Sequence, residues 1–273
     1  MSVARPHTAP PGSADANGLY AETSGRGPPL VLLHGFGLNQ RVFDPLRAGL
    51  DEHYTVTALD LPGHGRSPWI ADQTLAQQLT GIAGHIRPGA ILVGWSWGGQ
   101  LALQLAADPA LKPAGLVLLA STPRFVSAPG WPHGMAPSVL ARFAALLESE
   151  PRRTVDDFLE LQVRGSAAAD AVLGLLRQAL SDQGYAQPIA LAGALEQLRH
   201  NDLRALAREV SVPALVIAGE YDRITPPLAA QALAQMLPRG QLLRLRRAGH
   251  APFLSHPEQV LTALRALRDQ VPS

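Results

Sequence analysis

Ser96 stands in Gly94-Trp95-Ser96-Trp97-Gly98, a serine between two large rings with a glycine on either side. The spacing fits G-x-S-x-G, after an apolar strand-like run and at the start of a helical pattern. Small flanking residues suit a sharp turn that lifts a hydroxyl clear of the backbone. The start of a helix then aims free N–H groups at developing negative charge. The chemistry would be nucleophilic attack on an acyl carbon. The bland reading is a strand packed closely on a helix with a passive serine, and the pentapeptide alone does not decide. A serine nucleophile needs a base, and a histidine base needs an acid that fixes its tautomer. Among nine histidines, His250 follows a strand-like run in Arg247-Ala248-Gly249-His250-Ala251-Pro252-Phe253, near the end of the chain. Asp222, in Gly219-Glu220-Tyr221-Asp222-Arg223-Ile224-Thr225-Pro226, comes directly after another such run, with Glu220 as the competing carboxylate. Singly, His250 reads equally as a loop histidine and Asp222 as a helix cap. Three such residues in the order Ser96, Asp222, His250, each after a strand, outweigh the three bland readings.

An acyl-transfer site also needs two N–H groups for the oxyanion. The residue after the nucleophile offers one, Trp97, and the loop His34-Gly35-Phe36-Gly37 offers the other at Phe36. His34 is expected to brace its loop, and His64, in Asp60-Leu61-Pro62-Gly63-His64-Gly65-Arg66-Ser67, to shape the rim of the site. A serine at position 96 sets aside the variants of this chemistry that use a carboxylate nucleophile. The chain has no cysteine, which excludes disulfides and thiolate catalysis. No HExxH motif or carboxylate cluster suggests a metal, and no cofactor is expected.

These residues must be held by a frame, and the apolar runs supply it. Runs at 30–34, 54–59, 90–95, 115–120, 213–218 and 241–245 suit strands buried on both faces. Helical patterns at Gln73–Ile86, Trp97–Ala107, Pro226–Leu237 and Pro257–Arg268 alternate with them. The alternation predicts an α/β fold, a mostly parallel central sheet with helices on both faces. Residues 123–188 break the rhythm. A Pro/Gly-rich entry leads to helical patterns at Ser138–Ser149, Thr154–Val163 and Ala167–Ser181, read as a helical lid over a core of residues 18–122 and 189–273. Residues 1–17, rich in Pro, Ala, Gly and Ser, are expected to be a disordered extension.

Composition narrows the classes. With 273 residues, 47% hydrophobic, 16% charged and a net charge of +1, the chain is globular, with no global bias toward nucleic acid or acidic membranes. No apolar run approaches the roughly 20 residues that span a bilayer, and the N-terminus lacks the apolar core of a secretory signal. A cytoplasmic monomer is the expectation.

The segments HGFGLN (34–39), DLPGHGRS (60–67), GWSWGG (94–99) and GHAPFLSHP (249–257) carry a resemblance to the α/β-hydrolase superfamily, from about residue 18 to the end. More narrowly, LVLLHGFGLN, VGWSWGGQLA, LASTPRF, RRTVDDFLELQ and HAPFLSHP are similar to the BioH-like family of pimeloyl-[acyl-carrier protein] methyl ester esterases. The lid segment is the most specific of these, because lids vary widely across the superfamily. The resemblance implies hydrolysis of a methyl ester through an acyl-enzyme on Ser96. It also implies an acyl channel lined by Phe36, Trp97, Phe158, Leu159, Glu160, Leu161 and Gln162. Packing of lid on core is the competing reading for Phe158, Leu159 and Leu161. An acidic acyl-carrier protein would seek a basic face on the lid. Arg152, Arg153, Arg164 and Arg177 are there, interleaved with Glu148, Glu150, Asp156, Asp157, Glu160 and Asp170, and Arg124 and Arg142 are further candidates. The alternatives are a general short-chain carboxylesterase, a lactone or C–C hydrolase of the same fold, or a binding protein that keeps the pocket with little turnover.

Overall fold

The computed structural model describes residues 13–14 and 18–271. In chain order the strands are β1 (Ser13–Ala14), β2 (Tyr20–Gly25), β3 (Pro29–Leu33), β4 (Thr55–Leu59), β5 (Ile91–Trp95), β6 (Gly115–Leu119), β7 (Ala214–Gly219) and β8 (Gly240–Leu245). They form one sheet in the order β1-β2-β4-β3-β5-β6-β7-β8. Strands β3 to β8 run parallel, while β1 and β2 are antiparallel additions at one edge. The apolar runs are the reason for the parallel part. Every residue of β5, β6 and β7 is buried, as strands sandwiched between helices must be.

Two strands depart from the sequence reading. The run at 241–245 was grouped with strands buried on both faces. In the structure β8 is the far edge of the sheet, with Leu242 40% exposed and only Leu245 buried. Strand β2 has no apolar run; its sequence YAETSG alternates buried and open positions, the pattern of a strand with one wet face. The extension also contributes. Ser13 pairs with Ala21 and Ala14 with Tyr20, because the open edge of β2 offers unpaired backbone groups. The rest of the expected disordered extension lies outside the described residues.

Helices α1 (Asp44–Leu50), α2 (Leu75–Ala83) and α3 (Trp97–Ala106) fill the first half, after a 3-10 turn at Gln40–Phe43. Helix α2 begins later than the pattern from Gln73 predicts, because the Thr74 side chain caps it and Gln77 answers in a capping box. Between β6 and β7 lie α4 (Pro137–Ser149), α5 (Pro151–Val163), α6 (Ala169–Gln183), α7 (Pro188–His200) and the short α8 (Arg204–Ala207). The helical run is therefore longer than the stretch ending at 188: α7 packs on α4 and belongs with it. Helices α9 (Pro227–Met236), α10 (Pro252–Ser255) and α11 (Pro257–Arg268) complete the chain.

The inserted helices are pinned to the loops that follow the strands by long-range hydrogen bonds. Asn39 Nδ2 donates to the Ala179 carbonyl at 2.8 Å, Gln187 N–H to Gly63 O at 2.8 Å, and His250 N–H to Gln162 O at 2.8 Å. They cover the C-terminal ends of the parallel strands, where sheets of this kind place their ligands. Among the described residues no helix is long and apolar enough to cross a membrane.

Candidate active site

The turn from β5 to α3 holds Ser96 at φ 56°, ψ −117°, a left-handed conformation that L-residues avoid. The flanking glycines are required by proximity. A Cβ on Gly94 would lie 2.4 Å from Gly98 O, and one on Gly98 would lie 2.3 Å from His34 O. Ser96 N–H donates to Leu119 O at 2.9 Å, and the Ser121 hydroxyl donates to Ser96 O at 2.8 Å, so the end of β6 clamps the turn.

From this turn Ser96 Oγ reaches His250 Nε2 at 2.9 Å, and His250 Nδ1 reaches Asp222 Oδ2 at 2.8 Å. Side chains 154 and 28 positions apart in sequence thus form one hydrogen-bonded line. All three are buried, His250 at 1% exposure. An imidazole between a hydroxyl and a carboxylate can donate from Nδ1 and accept at Nε2, the tautomer that a general base needs. Glu220 is elsewhere: its carboxylate accepts from Arg247 N–H at 2.9 Å and pairs with Arg244. Trp95 packs beneath the line, donating from Nε1 to His250 O at 2.8 Å, with its ring edge-on to Phe253.

Phe36 lies in the loop after β3, against the serine turn; a Cβ on its neighbour Gly35 would meet Ser96 Cβ at 3.3 Å. Trp97 is the first residue of α3. Among the described residues neither of these two amides meets an acceptor within the chain. His34 is fully buried, donating from Nδ1 to Gly35 O and accepting from Leu61 N–H at Nε2. Burial, and the neighbouring His64, hold it neutral well below the usual histidine range. It braces the loop. His64 donates to Pro62 O, lies 5.4 Å from the Trp97 ring centroid, and is lowered by burial to about 4. Its loop is closed by Asp60, which accepts from Gln40 N–H and Arg66 N–H and is pushed up by burial to about 6.

Ser96 opens onto a narrow chamber of about 70 Å³. Its other walls are apolar: Phe36, Phe125, Met135, Val139, Leu140, Phe143, Phe158, Leu161, Leu195, Leu198 and Ile224. Phe36, Phe143 and Phe158 form a ring cluster with centroids 5.4 to 5.9 Å apart. A second groove shares Phe143, Phe158 and Leu161 with the chamber and is lined as well by Leu146, Thr154 and Arg153.

Of the expected channel residues, Phe36, Phe158 and Leu161 line the chamber; the other four do not. Helical geometry is the reason for three of them. Phe158 and Leu161 are three apart and share a face. Leu159, at 0% exposure, and Gln162, at 2%, turn into the core, and Glu160 turns out to pair with Arg177 at 2.9 Å. The fourth, Trp97, is held away: its Nε1 donates to Gln197 Oε1 at 2.9 Å, and Gln197 Nε2 donates to Gln78 Oε1 at 3.1 Å. The walls from α4 and α7 went unread. Val139, Leu140 and Phe143, at three- and four-residue spacing, carry a signal of an apolar face but not of what it faces. Of the interleaved lid charges, half pair with one another: Arg153 with Glu150 and Asp157, and Arg177 with Glu160. Among the described residues no three His, Asp or Glu side chains gather as a metal site.

A family model described as the alpha/beta hydrolase family matches residues 30–263. A Stenotrophomonas maltophilia (strain K279a) protein named pimeloyl-[acyl-carrier protein] methyl ester esterase is 40% identical over 250 residues, 90% of this chain and 95% of the relative. A Nitrosomonas europaea protein of the same name is 40% identical over 249 residues, 91% of this chain and 99% of the relative. In three dimensions, an esterase from Exiguobacterium antarcticum superposes with a TM-score of 0.82 at 22% identity, covering 91% of this chain and 94% of that one. A thermophilic esterase from Thermogutta terrifontis gives a TM-score of 0.78 at 27% identity, covering 93% and 94%. The chain belongs to the alpha/beta hydrolase family, in the branch whose curated members are named pimeloyl-[acyl-carrier protein] methyl ester esterases.

Proposed function

We propose that this protein is a serine carboxylesterase that hydrolyses the methyl ester of pimeloyl-[acyl-carrier protein] to the free acid and methanol. The observation that carries the reading is the line Ser96–His250–Asp222 opening onto a chamber with apolar walls. Ser96 Oγ attacks the ester carbonyl while His250 Nε2 takes its proton. The tetrahedral oxyanion is held by the N–H groups of Phe36 and Trp97. His250 returns the proton to the departing methoxide, and methanol leaves an acyl-enzyme. Water, deprotonated by His250, attacks the same carbon; the proton goes back to Ser96 and the acid is released. Asp222 stabilises the imidazolium in both halves. The chamber walls favour a methylene chain, at about 0.8 kcal/mol per buried CH₂. The outer groove over Phe143 and Phe158 is the route by which the lid admits it.

The test is incubation of the protein with pimeloyl-[acyl-carrier protein] methyl ester, followed by mass spectrometry of the carrier. Loss of one CH₂ with the wild type, and a rate lower by ~10³ or more with Ser96→Ala, is the expected result. Near-normal turnover by Ser96→Ala would sink the mechanism. The pairing of Arg153 and Arg177 with neighbouring acids favours a second reading, a carboxylesterase of small esters with no carrier. Rescue of a biotin auxotroph lacking its own methyl esterase separates the two: failure to rescue, with small-ester hydrolysis intact, selects the second.

A further inference from the structure

The carboxylate of Asp222 accepts four hydrogen bonds, and three come from the two residues Ile224 and Thr225. Oδ1 accepts from the N–H groups of Ile224 at 2.8 Å and Thr225 at 2.9 Å. Oδ2 accepts from His250 Nδ1 at 2.8 Å and from the Thr225 hydroxyl at 2.7 Å. The backbone pair fixes one oxygen; besides His250 itself, the hydroxyl fixes the other, the one that faces the base. Thr225 is 3% exposed, so no bulk water competes for these positions.

The Thr225 hydroxyl has a second acceptor, Ala120 O at 3.0 Å, and lies 3.4 Å from His250 Nδ1. A hydroxyl carries one proton, and both oxygens can only accept. The shorter, charged partner takes it, so Thr225 donates to Asp222. Ala120, the residue after β6, stands at φ 43°, and the next residue, Ser121, donates to the carbonyl of Ser96. One strand end therefore touches the nucleophile turn through Ser121 and lies against the acid loop at Thr225.

We propose that Thr225 is a positioning residue for the base: its hydroxyl holds Asp222 Oδ2 toward His250 Nδ1 and tempers the charge that the imidazole faces. The proposal rests on the assignment of His250 as the base. Removing the donor leaves Oδ2 held by His250 alone, with Oδ1 still fixed by the backbone pair, and concentrates negative charge on the oxygen that the imidazole faces. The base is then misaligned and holds its proton to higher pH.

The experiment compares Thr225→Val, which keeps the shape without the hydroxyl, with Thr225→Ser, which keeps the hydroxyl. The readout is kcat and KM on a p-nitrophenyl ester across the pH range, with thermal unfolding of each variant; Thr225→Ala replaces the valine variant should that one not fold. The expected result for Thr225→Val is a kcat lower by about tenfold with KM within about twofold. The acid limb of its rate profile moves to higher pH, and Thr225→Ser restores both. An unmoved acid limb, or a serine variant as slow as the valine one, overturns the proposal. His250→Ala, assayed alongside, separates the failures: if it stays active the base is misassigned, and if it is dead while Thr225→Val is normal, only the role of Thr225 falls.

Discussion

The backbone N–H of His250 donates to the carbonyl oxygen of Gln162, 2.8 Å away. Gln162 lies in the last turn of α5, where carbonyls have no partner within the helix. His250 is thereby tied to the helix whose other face lines the chamber. Gly249 lets the two approach, since a Cβ there would lie 2.5 Å from Gln162 O. Gly249→Ala is expected to push α5 from His250 and lower kcat on a small ester by up to about 10²-fold, with a smaller change in KM. A kcat within twofold of wild type would show that the base does not depend on this tie.

Phe158 and Leu159 are neighbours in sequence with opposite surroundings. Leu159 is fully buried in the core, whereas Phe158 lines the chamber. Leu159→Ala is expected to lower the unfolding free energy by about 2–5 kcal/mol in urea titration. Phe158→Ala is expected to cost less stability and to flatten the fall of KM with acyl length, measured over a series of alkanoate esters. Equal stability losses with unchanged length dependence would contradict this division.

Burial lowers His64 from 6.5 to about 4. Between those values the unfolded chain binds a proton that the folded chain refuses, so stability rises with pH across the window. It is lost as pH falls from 6.5 toward 4, by roughly 3 kcal/mol for this one group. His34, lowered in the same direction, adds to the slope. His64→Gln is expected to make urea-determined stability shallower in pH by about one proton over that range. The same slope in wild type and variant would place the titrating group elsewhere.

The Trp97 indole depends on Gln197, which reaches it from α7. Gln197→Leu leaves that N–H buried without an acceptor, at a cost of about 1–3 kcal/mol in stability. Because Trp97 begins α3 beside Ser96, a fall in kcat is expected with it. Thermal unfolding and ester kinetics check the two together, and an unchanged melting temperature would show that this hydrogen bond contributes nothing.

What was legible in the sequence was local. Ser96, Asp222 and His250 each follow an apolar run and sit among small or turn-forming residues, because a reactive side chain needs a strand end and a sharp turn to stand clear. Their order along the chain, with the apolar runs between them, suffices for the α/β class. Strand β2 escaped because its wet face dilutes the apolar signal, and β8 was misread because an apolar run does not say whether a further strand lies beside it. The face of α5 that meets the chamber was likewise undecided: periodicity separates Phe158 and Leu161 from Leu159 and Gln162, but only packing against the sheet says which pair looks at the substrate. Thr225, Ser121 and Gln197 have no sequence signature at all. Their roles rest on single hydrogen bonds to residues brought near by the closing of the sheet and the seating of the inserted helices, and directional contacts of that kind exist only once the tertiary structure has set the distances.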